Sequence, residues 1–305
     1  MMPVLIAAAD VVLVYLVARH IFRRDVPALV AAGLLLCSPV TIVYAGADAG
    51  ATRVVPCVLA WLWCITVYLD RPRLVWACGA AACLAVAACV HPIGVVLMVG
   101  YLLVACVAAS ATGATGRTRY VVYASSFIAL LVALVVWRLR DPSFPVALIA
   151  RYHLYDARLN VLQGLREITT YTSMTERSYV YWDYFDPSLL YLSAGNRYAW
   201  AAHAGMLPYV MAVLVPIGVY RTLAGDVGRS HAVVLVGGLL VAPWPGTLVA
   251  QRAAVHLALV IAPFAALLAT VGVEWLLVTG RAARMATLLL LVAAPVQGLV
   301  FLLSR

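Results

Sequence analysis

Apolar runs of roughly 15 or more residues recur along the whole chain, and nothing else in the sequence constrains its fold as strongly. Each run is long enough, with tilt and flanking anchors, to cross about 30 Å of hydrocarbon as a helix rising about 1.5 Å per residue. With 66% of the residues hydrophobic and 11% charged, water cannot be the main solvent. The pattern predicts an all-α fold, a polytopic transmembrane helical bundle of about ten spans. The expected spans are 3–19, 26–44, 54–69, 74–90, 94–110, 120–137, 206–220, 232–250, 255–279 and 285–303. One long polar stretch separates the sixth from the seventh. The chain thus divides into an N-terminal bundle (1–137), a loop (138–204) and a C-terminal bundle (205–305). The first run lacks a basic leader and a small-residue cleavage site, so it reads as a span rather than a signal peptide.

A net charge of +9 invites a nucleic-acid reading, but its distribution excludes one. All 21 basic residues are Arg, and most sit singly or in pairs at the ends of apolar runs, where they signal topology instead of tracking phosphates. Alternate short loops hold Arg19, Arg23 and Arg24, then Arg71 and Arg73, Arg117 and Arg119, Arg221 and Arg229, and Arg281 and Arg284. The opposite short loops hold Arg53 and Arg252. Eleven against two sets the expected orientation, with the Arg-rich loops cytoplasmic and the N-terminus, the 45–53 loop, the long loop and the Gln251 turn outside. The use of Arg without Lys, beside abundant Ala, Val and Gly, suits GC-rich coding, and the expected location is a bacterial plasma membrane. All seven cysteines lie in or beside apolar runs and show neither a disulfide framework nor zinc spacing.

Within the long loop, Asp156 is placed to cap a helix whose Leu162, Leu165 and Ile168 repeat at three to four residues, as a helix lying on the membrane surface does. An aromatic segment follows, including Tyr181, Trp182, Asp183, Tyr184 and Asp186. It reads either as a platform for a sugar ring or as an interfacial aromatic belt with solvated carboxylates. Asp48 and Arg53 share a short outer loop of small residues, where they could serve a ligand or simply cap and anchor. His91 precedes Pro92 where two runs meet, and suits either a loop position or a proton carrier. Arg252 and His256 lie one turn apart after the Pro243-Trp-Pro245 break, and could hold a lipid phosphate or anchor the boundary. Asp10 and Glu274 fall inside spans. Asp10 is expected to pair with a neighbouring helix and Glu274 to snorkel beside Trp275.

Taken in order, several stretches resemble the polyprenyl-phosphate-dependent membrane glycosyltransferases of the GT-C superfamily, which includes protein O-mannosyltransferase-like and aminoarabinose-transferase-like enzymes. The segment from Ala9-Asp-Val to Phe22 is similar to that family's second span and its basic turn. Ser38-Pro39 through Asp48 to Arg53 resembles the next span and its acidic outer loop, and Ala88-Cys-Val-His-Pro-Ile-Gly94 the later His turn. Tyr181-Trp-Asp-Tyr-Phe-Asp-Pro187, Gly195-Asn-Arg197, Gly205-Met-Leu-Pro208, Ala242-Pro-Trp-Pro245, Arg252 and Ala262-Pro263 complete the likeness, which runs from about residue 9 to about 280.

The resemblance implies an enzyme that takes a sugar from a polyprenyl-phosphate donor on the exoplasmic side and transfers it to a hydroxyl or amine. It implies one carboxylate base, with cationic or divalent-metal support for the phosphate. Donor contacts would come from Arg53, His91, Arg252 and His256, and sugar or acceptor contacts from Tyr181, Trp182, Asp183, Tyr184 and Asp186. In the family the principal acid follows the first span, whereas the likeness here begins at the second. The expectation is therefore that this loop is missing, that a membrane partner supplies it, or that catalysis is lost. Asp48 matches the second acidic position, a supporting role. Two other readings stand beside this one: a non-catalytic subunit that binds a lipid-linked sugar, and a transporter, which would call for repeats and midplane charges.

Overall fold

In the computed structural model, residues 2–46, 50–111, 116–140, 171–192, 205–248 and 254–303 are described. These residues form helices and contain no strand. The N-terminal part comprises α1 (Met2–Phe22), α2 (Asp25–Leu36), α3 (Pro39–Tyr44), α4 (Val54–Asp70), α5 (Leu74–Val90), α6 (Pro92–Ala111) and α7 (Gly116–Arg140). After α8 (Tyr171–Asp183) come α9 (Met211–Ala224), α10 (Arg229–Val241), α11 (Trp244–Leu248), α12 (Ile261–Thr279) and α13 (Arg281–Leu303). Short 3-10 turns occupy Gly50–Arg53 and Val255–Leu257, and a π turn occupies Ser188–Leu192.

Seven segments are long and apolar enough to cross a bilayer: α1, α4 with its preceding turn, α6, the Tyr120–Trp137 part of α7, α10 with α11, α12, and α13. Three apolar helices, α2, α5 and α9, are shorter. The expected span 26–44 is broken because Pro39 has no N–H and holds Ser38 in an extended conformation (φ −70°, ψ 125°). Likewise the run expected to start at residue 206 turns helical only at Met211, after Pro208. Its first residues instead pair backbone with the π turn, through Met206 N–H to Leu189 (3.2 Å) and Leu207 N–H to Leu190 (2.8 Å), and accept from Val40 (3.2 Å).

The surroundings that these helices require can be read from their faces. α1, α7 and α13 each carry a bilayer-length apolar stretch, yet only 17–22% of that stretch is buried against the protein. Leu289 on α13, for instance, is 68% exposed. Three helices with so much exposed apolar surface are stable only in an apolar medium, so this is a multi-pass membrane protein. Inside the bundle, four buried hydroxyls are satisfied by backbone one turn earlier, while that of Thr222 has no hydrogen-bond partner among the described residues. Ser38, Thr66, Thr270 and Thr287 each donate to the carbonyl four residues earlier, at 2.8 to 2.9 Å.

α12 is the centre of the bundle. Every residue from Ile261 to Val273 is buried, and it packs against α9, α2, α10, α13 and α1. Its contact with α9 is backbone to backbone. A Cβ at Gly218 would overlap the Leu268 carbonyl, and one at Gly272 would stand 2.5 Å from the Leu214 carbonyl oxygen. A second layer, α4–α5–α6, closes the other flank, with α7 against α5 and α6 and with α10 against α6.

Three of the arginine-bearing connections, α1–α2, α4–α5 and α9–α10, gather at one end. There Asp70 of α4 lies 3.2 Å from His20 and 3.7 Å from Arg23, both at the end of α1, and 3.6 Å from His231 of α10. Arg19 pairs with Asp25, and Arg221 grips Asp226 through two bonds of 2.7 and 2.6 Å while lying 5.2 Å over the Trp275 ring. A polar cavity of about 410 Å³ opens between these groups, and Glu274 lines it beside Trp275. Asp10 departs from the pairing expected for it. Among the described residues, its buried Oδ1 has no hydrogen-bond partner.

Candidate functional site

The candidate residues that are described lie at the other end of the bundle. Asp48 and Arg252 fall outside the described residues, as does the helix expected from Asp156. His91 takes its place because Pro92 ends α5: the His91 backbone is extended (φ −152°, ψ 143°) and α6 starts immediately after it. The Ile93 N–H donates to His91 Nδ1 at 3.3 Å, which fixes the neutral ring with its proton on Nε2. That ring lies against Gly50, where a Cβ would approach Cδ2 to 3.1 Å. Burial, helped by the nearby positive charge that His256 could carry, holds the His91 pKa below its usual 6.5; burial does the same for His256. The 50–53 turn touches both α5 and the 255–257 turn. Its last residue, Arg53, is exposed at the head of α4.

The aromatic segment joins this end through the same 254–257 stretch. The Ala254 backbone hydrogen-bonds the Tyr184 hydroxyl, and the Tyr184 ring is fully buried against Gly246 in α11. Burial raises the Tyr184 pKa well above the ordinary phenol value. Two further bonds hold α8 down: Tyr181 Oη donates to the Leu240 carbonyl at 3.0 Å and Arg177 Nε to that of Leu248 at 3.4 Å. The exposed face of α8 carries Trp182, which is 62% exposed and packs edge-on with Tyr181, at 5.2 Å between ring centres. Trp182 also borders a shallow groove of about 470 Å³ with Met174, Thr175, Ser178 and Tyr179.

The two carboxylates of this segment differ in surroundings. Asp186, exposed, accepts from the Ser188 N–H at 2.7 Å, and this bond together with that of the Ser188 hydroxyl holds its carboxyl below the usual range. Asp183, half-buried, ends α8. Among the described residues no group of three or more His, Cys, Asp or Glu gathers in a way that could hold a metal ion.

Four stretches far apart in sequence, 50–53, His91, 181–186 and 254–257, thus meet at one end of the bundle, while three arginine-bearing connections meet at the other, around Asp70. Sequence reasoning missed the part played by Ala254 and Gly246, neither of which has a side chain with chemistry to announce it. It also missed the Asp70 cluster, whose members are brought together only by packing. No protein-family model matches the chain, and no curated protein matches it in sequence.

Proposed function

We propose that this protein is a membrane glycosyltransferase of the polyprenyl-phosphate-dependent type, working at the end of the bundle that carries His91, His256 and Arg53. The observation that carries the reading is the convergence of the 50–53 turn, His91, the aromatic segment and the 254–257 turn. A lipid-linked sugar needs cationic or donor groups for its phosphate, aromatic faces for its ring and apolar helix surface for its lipid. At this end Arg53 and the Nε2–H of His91 are the first kind, Tyr181 and Trp182 the second, and the exposed faces of α1 and α13 the third. Asp48 and Arg252 belong to the same reading, Asp48 as a supporting acid and Arg252 as a phosphate ligand.

In this reading the seven long helices and the three shorter ones, α2 continued by α3, α5, and α9, make ten crossings of a bacterial plasma membrane. The arginine loops face the cytoplasm and the 138–204 segment is exoplasmic. The chemistry asked of the chain is modest, because a phosphate leaving group departs without strong acid help.

The test is to incubate the purified, detergent-solubilised chain with radiolabelled polyprenyl-phosphate sugars and membrane extract, scoring both retained lipid and transferred label. Label in an acceptor above an extract-only control supports transfer. Retained lipid without transfer favours a lipid-linked-sugar-binding or accessory subunit. With every common sugar tried, neither binding nor transfer by the folded chain overturns the reading. Arg53→Gln is expected to weaken donor retention about tenfold or more, the loss of one charge-assisted phosphate contact.

A further inference from the structure

We propose that Asp10 binds a single positive charge, a proton or an alkali-metal ion, taken from solution at the His91 end of the bundle. Asp10 stands within α1, about nine-tenths buried, and among the described residues its Oδ1 has no hydrogen-bond partner. The buried hydroxyls of Ser38, Thr66, Thr270 and Thr287 are satisfied by carbonyls one turn earlier, and of the buried atoms without a hydrogen-bond partner among the described residues (Asp10 Oδ1, Thr222 Oγ1, and Nε2 of His20 and His231) Asp10 Oδ1 alone belongs to a carboxyl group. A carboxylate in an apolar bundle is not left both charged and bare; it takes a proton, a cation or a polar partner.

Oδ1 itself is buried, but the residue borders an opening at this end of the bundle. Asp10 lines a pocket of about 40 Å³, bordered by Pro3, Ile6 and Ala7 from the first turns of α1 and by Thr41, Tyr44 and Thr52 from α3 and the 50–53 turn. That volume holds one water-sized particle or slightly more, too little for a sugar or a lipid headgroup but enough for a bare or singly hydrated monovalent ion. Thr41, Tyr44 and Thr52 line the same pocket as the carboxyl group, and neutral oxygen with a carboxylate is the ligand chemistry of a hard cation. Titratable neighbours are few among the described residues. Tyr44 faces the pocket from α3, and Cys57 of α4 is close enough to feel the Asp10 charge. The pocket walls from α2 (Leu35), from Leu259 and from the start of α12 (Ala262 and Pro263) do not titrate. Among the described residues, no Arg or His lines the pocket to serve as a built-in counter-ion.

The inference is independent of the transferase reading, because its test uses no sugar donor. The full chain in liposomes is treated with a hydrophobic carbodiimide, which reacts with a protonated carboxyl. The acid O–H adds across one C=N bond, oxygen to carbon and proton to nitrogen, and the adduct rearranges to a stable acylurea that mass spectrometry locates. Asp10 is expected to be labelled at acid pH, with labelling falling about tenfold per pH unit above the midpoint. Asp10→Asn should remove that label. If it does not fold, the wild-type pH profile stands as the readout. Repeating the reaction at fixed pH with added Na⁺ or Li⁺ separates the two sources: protection identifies an alkali-metal ion, and unchanged labelling a proton alone. Absence of label in the folded chain at every pH, when the same residue is labelled after unfolding in detergent, overturns the proposal. So does labelling that ignores both pH and salt.

Discussion

At the scale of single residues, the histidines and one glycine at the candidate site make the sharpest predictions. His91 and His256 both have folded pKa values depressed below 6.5, so the unfolded chain binds more protons between the folded and unfolded values, and stability rises with pH across that window. Their contribution is whole above pH 6.5 and is lost as pH falls through the lower folded values. The melting temperature in detergent should therefore drop on acidification, and His91→Gln should flatten that part of the profile; an unchanged profile would mean that neither histidine is coupled to folding. At Gly246 a Cβ would overlap the Tyr184 hydroxyl, so Gly246→Ala should cost about 1–3 kcal/mol through overpacking and loosen α8. Limited proteolysis of α8 alongside thermal melts reads both effects, and wild-type behaviour in each would refute the contact. His91 was visible in the sequence because Pro92 follows it. The value of Tyr184 as a packing post was not, since in sequence it is one aromatic among several.

Among the helices, short-range chemistry explains where spans break, and close packing explains which spans adjoin. Pro39 and Pro208 each interrupt a run that hydropathy alone reads as continuous, because proline removes a backbone donor and restricts the residue before it. Both breaks were legible as prolines, but the bonds that accept the released backbone, from Val40 to Met206 and from Met206 to Leu189, were not. The α9–α12 contact depends on Gly218 and Gly272. Gly218→Val should force the two helices apart and lower stability by at least about 2 kcal/mol, by analogy with overpacked cores. Thermal unfolding in detergent measures this, and an unshifted midpoint would show that the helices do not meet there. Nothing in the spacing of these two glycines names their partner helix.

For the whole molecule, the distribution of charge and the distribution of burial agree on two distinct ends. With Arg73→Cys and Ser188→Cys as separate single-site reporters in a chain whose native cysteines are replaced, a membrane-impermeant maleimide should label them from opposite sides, Arg73→Cys from the cytoplasm. Labelling from the same side would overturn the sidedness proposed above. The sequence by itself determined the membrane class, the helical character and the arginine count that separates the loops, because these follow from local composition and from the fixed rise of a helix. It also marked His91, Arg53 and the aromatic segment as residues of interest. Only the tertiary structure decided that the 254–257 turn links the histidines to Tyr184, that Asp70 joins α1 to α10, and that Asp10 Oδ1 lacks the partner expected for it. These outcomes depend on which helix packs beside which, and in an apolar solvent that choice is made by steric fit and polar pairing between distant segments, which hydrophobic periodicity does not encode.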